Sequence, residues 1–216
     1  MFELHWHPPA DVVTATINAV PAGAIIAVDA DGTLWNIDLG DELVRAAGAR
    51  PNAWLEPADA AHYFDHLASD HGLASAFTAE LAALRSDALL QSEMRAHITP
   101  LLRPRAALVD SLRSAMKRGV QVHVVSASPL STLPVALKII GLKPTSMIAA
   151  VGHGTCRPDP ADLPVGTGKV RHWQSARLGR PDLALGDSLW DLPMLQMACV
   201  GVMVKGLAAA GAAEDA

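Results

Sequence analysis

The chain has 216 residues, half of them hydrophobic, with a formal net charge of -5 and a pI near 5.9. That length suits one sizeable domain or a domain with a subdomain, and the hydrophobic share excludes a disordered chain. The acidic balance gives no electrostatic reason to expect a nucleic-acid partner, and no apolar run approaches the roughly 18 residues that a membrane span needs.

The N-terminus, MFELHWHPPADVV, has no basic segment followed by an apolar one, and HWH at 5–7 reads as surface. The two cysteines, Cys156 and Cys199, are isolated and read as packing residues, so a reducing, cytoplasmic setting is expected. Residues 8–20, PPADVVTATINAV, carry apolar positions at helical spacing and predict an amphipathic helix. Residues 24–29, AIIAVD, predict a buried strand. From about 38 to 100 the chain is alanine-rich and helical in period, punctuated by Gly48, Gly72, Pro51, Pro57 and Pro100. After Pro104, helical stretches (RAALVDSLRSAMKRG, LSTLPVALKIIG, GKVRHWQSARLG, DLPMLQMA) alternate with strand-like ones (VQVHVVS, SMIAAVG, DLALGDS, VGVMV). This alternation predicts an α/β fold with a doubly wound parallel sheet. The stretch 37–100 becomes a helical cap inserted after the 24–29 strand, with 1–36 and 101–216 forming the core. The tail LAAAGAAEDA reads as loose.

In such sheets ligands bind beyond the carboxyl ends of the strands. Those ends carry Asp29 and Asp31, Ser126 and Ser128, Gly152 to Gly154, and Asp187 and Asp191. The i, i+2 spacing points the carboxylates of Asp29 and Asp31 to one side. Like charges that close favour a cation, and hard oxygen donors suit Mg²⁺. Asp187 offers a third carboxylate. A carboxylate can also act as nucleophile, with its neighbour as acid and base. With the hydroxyl of Ser126 and the cation of Lys169, the parts for phosphoryl transfer are present.

These residues also carry a family likeness. DADGTLW at 29–35 resembles the D-x-D-x-T signature of the haloacid dehalogenase-like (HAD) phosphatase superfamily. VHVVS resembles its second motif, Lys169 in GTGKV its third, and GDSLWDLPML its fourth, in the family's order. The resemblance implies Asp29 as nucleophile and Mg²⁺ ligand, and Asp31 as general acid/base whose backbone carbonyl also binds the metal. Ser126 and Lys169 would hold the phosphoryl oxygens, and Thr33 would support the phosphate loop. Asp187 would complete the Mg²⁺ site, with Asp191 beside it bracing Lys169 or a metal-bound water. The implied activity is hydrolysis of a small phosphorylated metabolite through an aspartyl-phosphate.

Alternatives are a phosphotransferase or phosphomutase, a haloacid dehalogenase, or a catalytically silent binding module. Asp31 favours the phosphatase over the dehalogenase, because a halide leaves without a proton and an alkoxide does not. The helical insertion resembles the cap of the phosphoserine phosphatase-like branch. On that likeness Asp38 falls where the branch recognises an amino group, Gly32 replaces a serine, and Trp35 is bulkier than the usual aliphatic residue. Trp35 and Asp38 are therefore the expected specificity residues. Trp35, Trp54, Tyr63 and Phe64 read as cap packing, or as an aromatic wall for a cationic head group such as choline.

Competing structural readings attach to several positions. Asp31-Gly32 could be an ordinary turn, Asp191 a helix cap, Lys169 a solvated lysine, and Ser128 the cap of a helix starting near Pro129. His62, His66 and His71 read as a half-buried cap face rather than a metal site. GTGK lacks the remaining positions of a phosphate-binding loop, and GHGTCR those of a dinucleotide fingerprint.

Overall fold

The computed structural model describes residues 2–48, 63, 70–84, 88–152 and 158–205. Six strands form one parallel sheet: β1 (Glu3–Trp6), β2 (Ile25–Val28), β3 (Gln121–Pro129), β4 (Ser146–Ala150), β5 (Leu183–Gly186) and β6 (Val200–Met203). Their order across the sheet is β1-β6-β5-β2-β3-β4, every pair parallel. The described helices are α1 (Ala10–Ala19), α2 (Leu39–Gly48), α3 (His71–Leu84), α4 (Ala88–Ile98), α5 (Ala106–Lys117), α6 (Leu133–Ile139), α7 (Thr167–Ser175) and α8 (Leu192–Met197).

The central strands are short apolar runs because both faces are covered. Alternation along them divides the interior into two layers. Ile26, Val28, Val122, Val124, Leu183 and Leu185 face the larger core, with α1, α5, α6 and the inserted helices. Ala27, Val125 and Ala184 face the smaller one, where Trp173 of α7 and Met194 and Leu195 of α8 pack. The helical insertion follows β2, and α3 reaches back onto the core through Ala76 and Ala79, against Ala150 and Leu163.

β1 is an addition to the elements read from the sequence. It pairs with β6 at the sheet edge; His5 and Trp6 belong to the strand, with Trp6 exposed, and His7 follows it. A second difference concerns β3. It runs through a register shift to Pro129, which pairs with Ala150, and α6 starts only at Leu133. Ser128 therefore lies in the strand and caps no helix.

Between β2 and β5 the chain's order of strands reverses direction, β3 and β4 lying to one side and β5 and β6 to the other. A crevice opens at the carboxyl ends there.

Candidate active site

Asp29 follows β2, its N–H donating to Leu185 O at 2.9 Å, so the nucleophile candidate is tied to both central strands. Lys169, the third residue of α7, is buried and reaches across the crevice. Its Nζ donates to Asp29 Oδ1 and to Asp191 Oδ1, each at 2.5 Å. Asp191 is enclosed as well. Its Oδ2 accepts the Asp187 N–H at 3.1 Å, the Ser188 N–H at 3.0 Å and the Ser188 hydroxyl at 3.0 Å. Asp191 precedes α8 but its side chain caps no backbone N–H of that helix; it closes a capping box with Ser188, the cap of the short 3₁₀ turn Leu189–Asp191.

Two glycines make the crowding workable. A Cβ on Gly186 would meet Asp191 Cβ at 2.4 Å. Gly32 has φ +72°, a left-handed conformation, and a Cβ there would lie 2.1 Å from Asp187 Oδ2. Thr33 is buried and its hydroxyl donates to Asp187 Oδ1 at 2.9 Å. Thr33 thus spends its donor on a carboxylate of the cluster, a supporting place rather than a direct one at the pocket.

Oxygens of Asp29, Asp187 and Asp191 all lie within 4.8 Å of one another. Burial, then the charge of Asp191, raises Asp29 well above the ordinary carboxylate range; Lys169 opposes that rise. Burial and Asp191 raise Asp187 to about 6. Burial by itself would lower Lys169, but Asp191 and Asp29 reverse this and keep it charged. One ammonium is thus set against three clustered carboxylates, and further positive charge is needed for all three to ionise. Asp191 has both oxygens committed, whereas Asp29 and Asp187 each keep Oδ2 without a donor among the described residues. The donor set is all oxygen, and it fits a hard divalent cation such as Mg²⁺.

Asp31 stands apart from this cluster, so its side chain is not among the metal donors. Its Oδ1 accepts the indole N–H of Trp35 at 2.8 Å and the Leu39 N–H at 3.2 Å. The Ser128 hydroxyl donates to Oδ2 in a short contact. Burial, then the charge of Asp38, raises Asp31 to about 8.

Ser126 is buried at the pocket wall and its Oγ accepts the Ser128 N–H at 3.0 Å, leaving its own O–H to donate. The pocket has a volume of about 540 Å³. Asp29, Asp31, Asp38, Asp41, Asp187 and Asp191 line it, with Lys169 and with His71 and Trp190 at the rim. The His71 ring of α3 stacks on Trp190, centroids 5.3 Å apart and planes 6° from parallel. A recess of about 20 Å³ opens beneath the cap between Asp31, Asp38, Tyr63, Ser75 and Thr78.

Asp38 is at the pocket, its Oδ1 accepting the N–H groups of Gly40 and Asp41 at 2.7 and 3.0 Å, where α2 begins. Trp35 is not: the ring is fully enclosed, its N–H on Asp31. The specificity role expected of Trp35 is therefore corrected to contact with Asp31. Tyr63 is buried too, its hydroxyl donating to Asp41 Oδ1 at 2.7 Å. Trp54, Phe64, His62, His66, Cys156 and the tail lie outside the described residues. The sequence singled out Ser128 only as a strand-end residue and a helix cap, and Ser75, Thr78 and Trp190 not at all. Only Ser128 carried a signal, its two-residue spacing from Ser126.

The profile of the haloacid dehalogenase-like hydrolases matches residues 26–196. The chain belongs to this family. Among solved structures, a protein of unknown function from Bordetella pertussis Tohama I superposes with a TM-score of 0.63 at 22% identity, covering 85% of this chain and 90% of that one. A phosphoserine phosphatase in its apo form gives a TM-score of 0.53 at 17% identity, over 83% of this chain and 85% of the other. A substrate-bound phosphoserine phosphatase gives 0.53 at 18%, over 84% and 87%. No curated protein matches by sequence. At these identities the likeness is one of fold, and the HAD-like core with its helical insert is what these proteins share.

Proposed function

We propose that the protein is a Mg²⁺-dependent phosphomonoesterase, acting on a small phosphorylated metabolite through an aspartyl-phosphate on Asp29. The observation that supports this most is the pairing of two unlike carboxyls. Asp29 is bonded to the Lys169 ammonium, while Asp31, two residues on at the pocket wall, accepts, among the described residues, only from the neutral donors Trp35, Leu39 and Ser128. A carboxyl held by an ammonium and a carboxyl held only by neutral donors suit a nucleophile and an acid.

An oxygen of Asp29 attacks phosphorus while the bond to the leaving oxygen breaks and Asp31 delivers its proton to that oxygen. Asp31, now a carboxylate, takes a proton from water as the water attacks phosphorus, and the bond to Asp29 breaks to release inorganic phosphate. Lys169 and the Ser126 hydroxyl offset charge on the phosphoryl oxygens. Asp29 and Asp187 would hold the Mg²⁺, which supplies charge neutralisation for the nucleophile and the phosphoryl group.

Six aspartates and a single lysine line the pocket, with no arginine among the described residues. With Asp29, Asp187 and Asp191 matched to Lys169 and the Mg²⁺, the acidic groups left toward the substrate are Asp31, Asp38 and Asp41, which favours an alcohol half that carries an amine. The recess beside Asp38 has room for about one water-sized group, which suits a primary ammonium and not a trimethylammonium.

Asp29→Asn should abolish hydrolysis of an aryl phosphate, and chelation should suppress the wild type. Metal-free turnover by Asp29→Asn would sink the proposal. On a substrate panel, aminoalkyl phosphates should outrun carboxylated ones; the reverse order would remove the amine reading alone.

A further inference from the structure

We propose that Trp35, together with Ser128, positions Asp31 so that one defined oxygen of its carboxyl faces the substrate. The inference rests on Asp31 being the proton donor to the leaving group. Oδ1 already receives two N–H groups, from Trp35 at 2.8 Å and from Leu39 at 3.2 Å. Those two donors occupy Oδ1, so Oδ2 is the oxygen left to meet the leaving group. Oδ2 lies toward Ser128. Asp31 and Ser128 both line the recess under the cap, whereas Trp35 lines neither the recess nor the main pocket. The indole therefore holds the back of the carboxyl and leaves its front to the substrate.

The ring is suited to this task because it is packed on every side. It is completely enclosed in the larger core. The backbone around it is pinned, with a bridge from Trp35 to Pro104 and the Arg105 N–H donating to Leu34 O at 2.9 Å. The second N–H on Oδ1 is the backbone of Leu39, the first residue of α2, so the carboxyl is also registered against the start of the helical insertion. A donor held that rigidly fixes the direction of a proton transfer, for which misplacement by about 1 Å can cost roughly 100-fold.

The test compares two esters by kcat/KM. 2,4-Dinitrophenyl phosphate expels a stable phenolate and needs no proton, whereas phenyl phosphate expels a basic one and does. General acid catalysis is worth about 10²–10⁴-fold, so Asp31→Asn should lose that much on the phenyl ester and far less on the dinitrophenyl ester. Trp35→Phe keeps most of the ring's bulk and removes the N–H. It should lose about tenfold or more on the phenyl ester and several-fold less on the dinitrophenyl ester. An equal fall on both esters in Trp35→Phe, with Asp31→Asn still discriminating, overturns the positioning role. Equal falls in Asp31→Asn instead overturn Asp31 as the acid. If Trp35→Phe lacks a cooperative thermal transition, Ser128→Ala carries the same comparison from the other oxygen, and an equal fall there overturns the proposal.

Discussion

Replacing Lys169 by methionine isolates the electrostatics of the site from its shape. In the wild type the ammonium is buried and sits 2.5 Å from an oxygen of each of two buried carboxylates, Asp29 and Asp191. Methionine fills similar volume but removes the charge. Breaking a buried ion pair by deleting one partner costs about 3–5 kcal/mol, because the remaining charge stays desolvated. For a chain of this size that corresponds to a fall in Tm of roughly 6–20 °C.

The loss depends on pH in a defined direction. Lys169 is the group opposing the rise of Asp29, so its removal raises Asp29 further above the unfolded value. An acid with a raised pKa in the folded state holds its stability at low pH and loses it as pH rises. Urea unfolding followed by circular dichroism, in the presence of a chelator, should therefore show a deficit that is small near pH 5 and largest near pH 8. Adding Mg²⁺ should narrow it, since a bound cation takes over part of the neutralisation. A variant as stable as the wild type at pH 8 without metal would refute the claim that this lysine neutralises the site.

Gly32→Ala should weaken Mg²⁺ binding about 10–100-fold in calorimetric titration, because its Cβ would occupy the place of Asp187 Oδ2. Thr33→Val removes the hydroxyl on Asp187 Oδ1 and should act in the same direction, about 10-fold, without the backbone strain. Wild-type affinity in both would show that the orientation of Asp187 does not matter. Between pH 6 and 7, Mg²⁺ binding should release protons, seen as a heat that varies with the ionisation enthalpy of the buffer. The donors are Asp29, raised by burial, and Asp187, raised to about 6. Without metal, stability should fall from about pH 4 to about pH 8. This is the window between the ordinary value of 3.8 and the value of about 8 at Asp31, across which the folded chain keeps a proton that the unfolded chain has lost.

The strand-end aspartates were legible in the sequence because burial on both faces leaves an uninterrupted apolar run, and a carboxylate that ends such a run needs a reason. β1 was not legible: ELHW lies at the sheet edge with Trp6 exposed, so it has no apolar run to detect. Ser128 was misread because proline after serine is an ordinary helix start, and only the pairing of Pro129 with Ala150 shows that the strand continues. The direction of Trp35 was equally hidden. A tryptophan six residues past Asp29 looks like a pocket wall, and the chain's return to Ala30, with the Leu34 N–H on Ala30 O at 2.7 Å, puts it under Asp31 instead.

The alanine-rich insertion acquires a meaning in the same terms. Ala74, Ala76, Ala79 and Ala82 of α3 are buried, and their short side chains allow a very close approach to the core. At Gly152, just past β4, an added Cβ would fall 2.1 Å from the carbonyl oxygen of Ala79, so helix backbone and core backbone are nearly in contact. A larger residue on either side would lift α3 away. The same helix carries His71, Ser75 and Thr78 at the pocket and recess, and His71 stacks on Trp190 of the core. The small residues therefore set how far these polar groups stand from Asp31 and Asp38. Under the proposed function, the reach of these groups toward a substrate is governed by the size of the residues packed behind them.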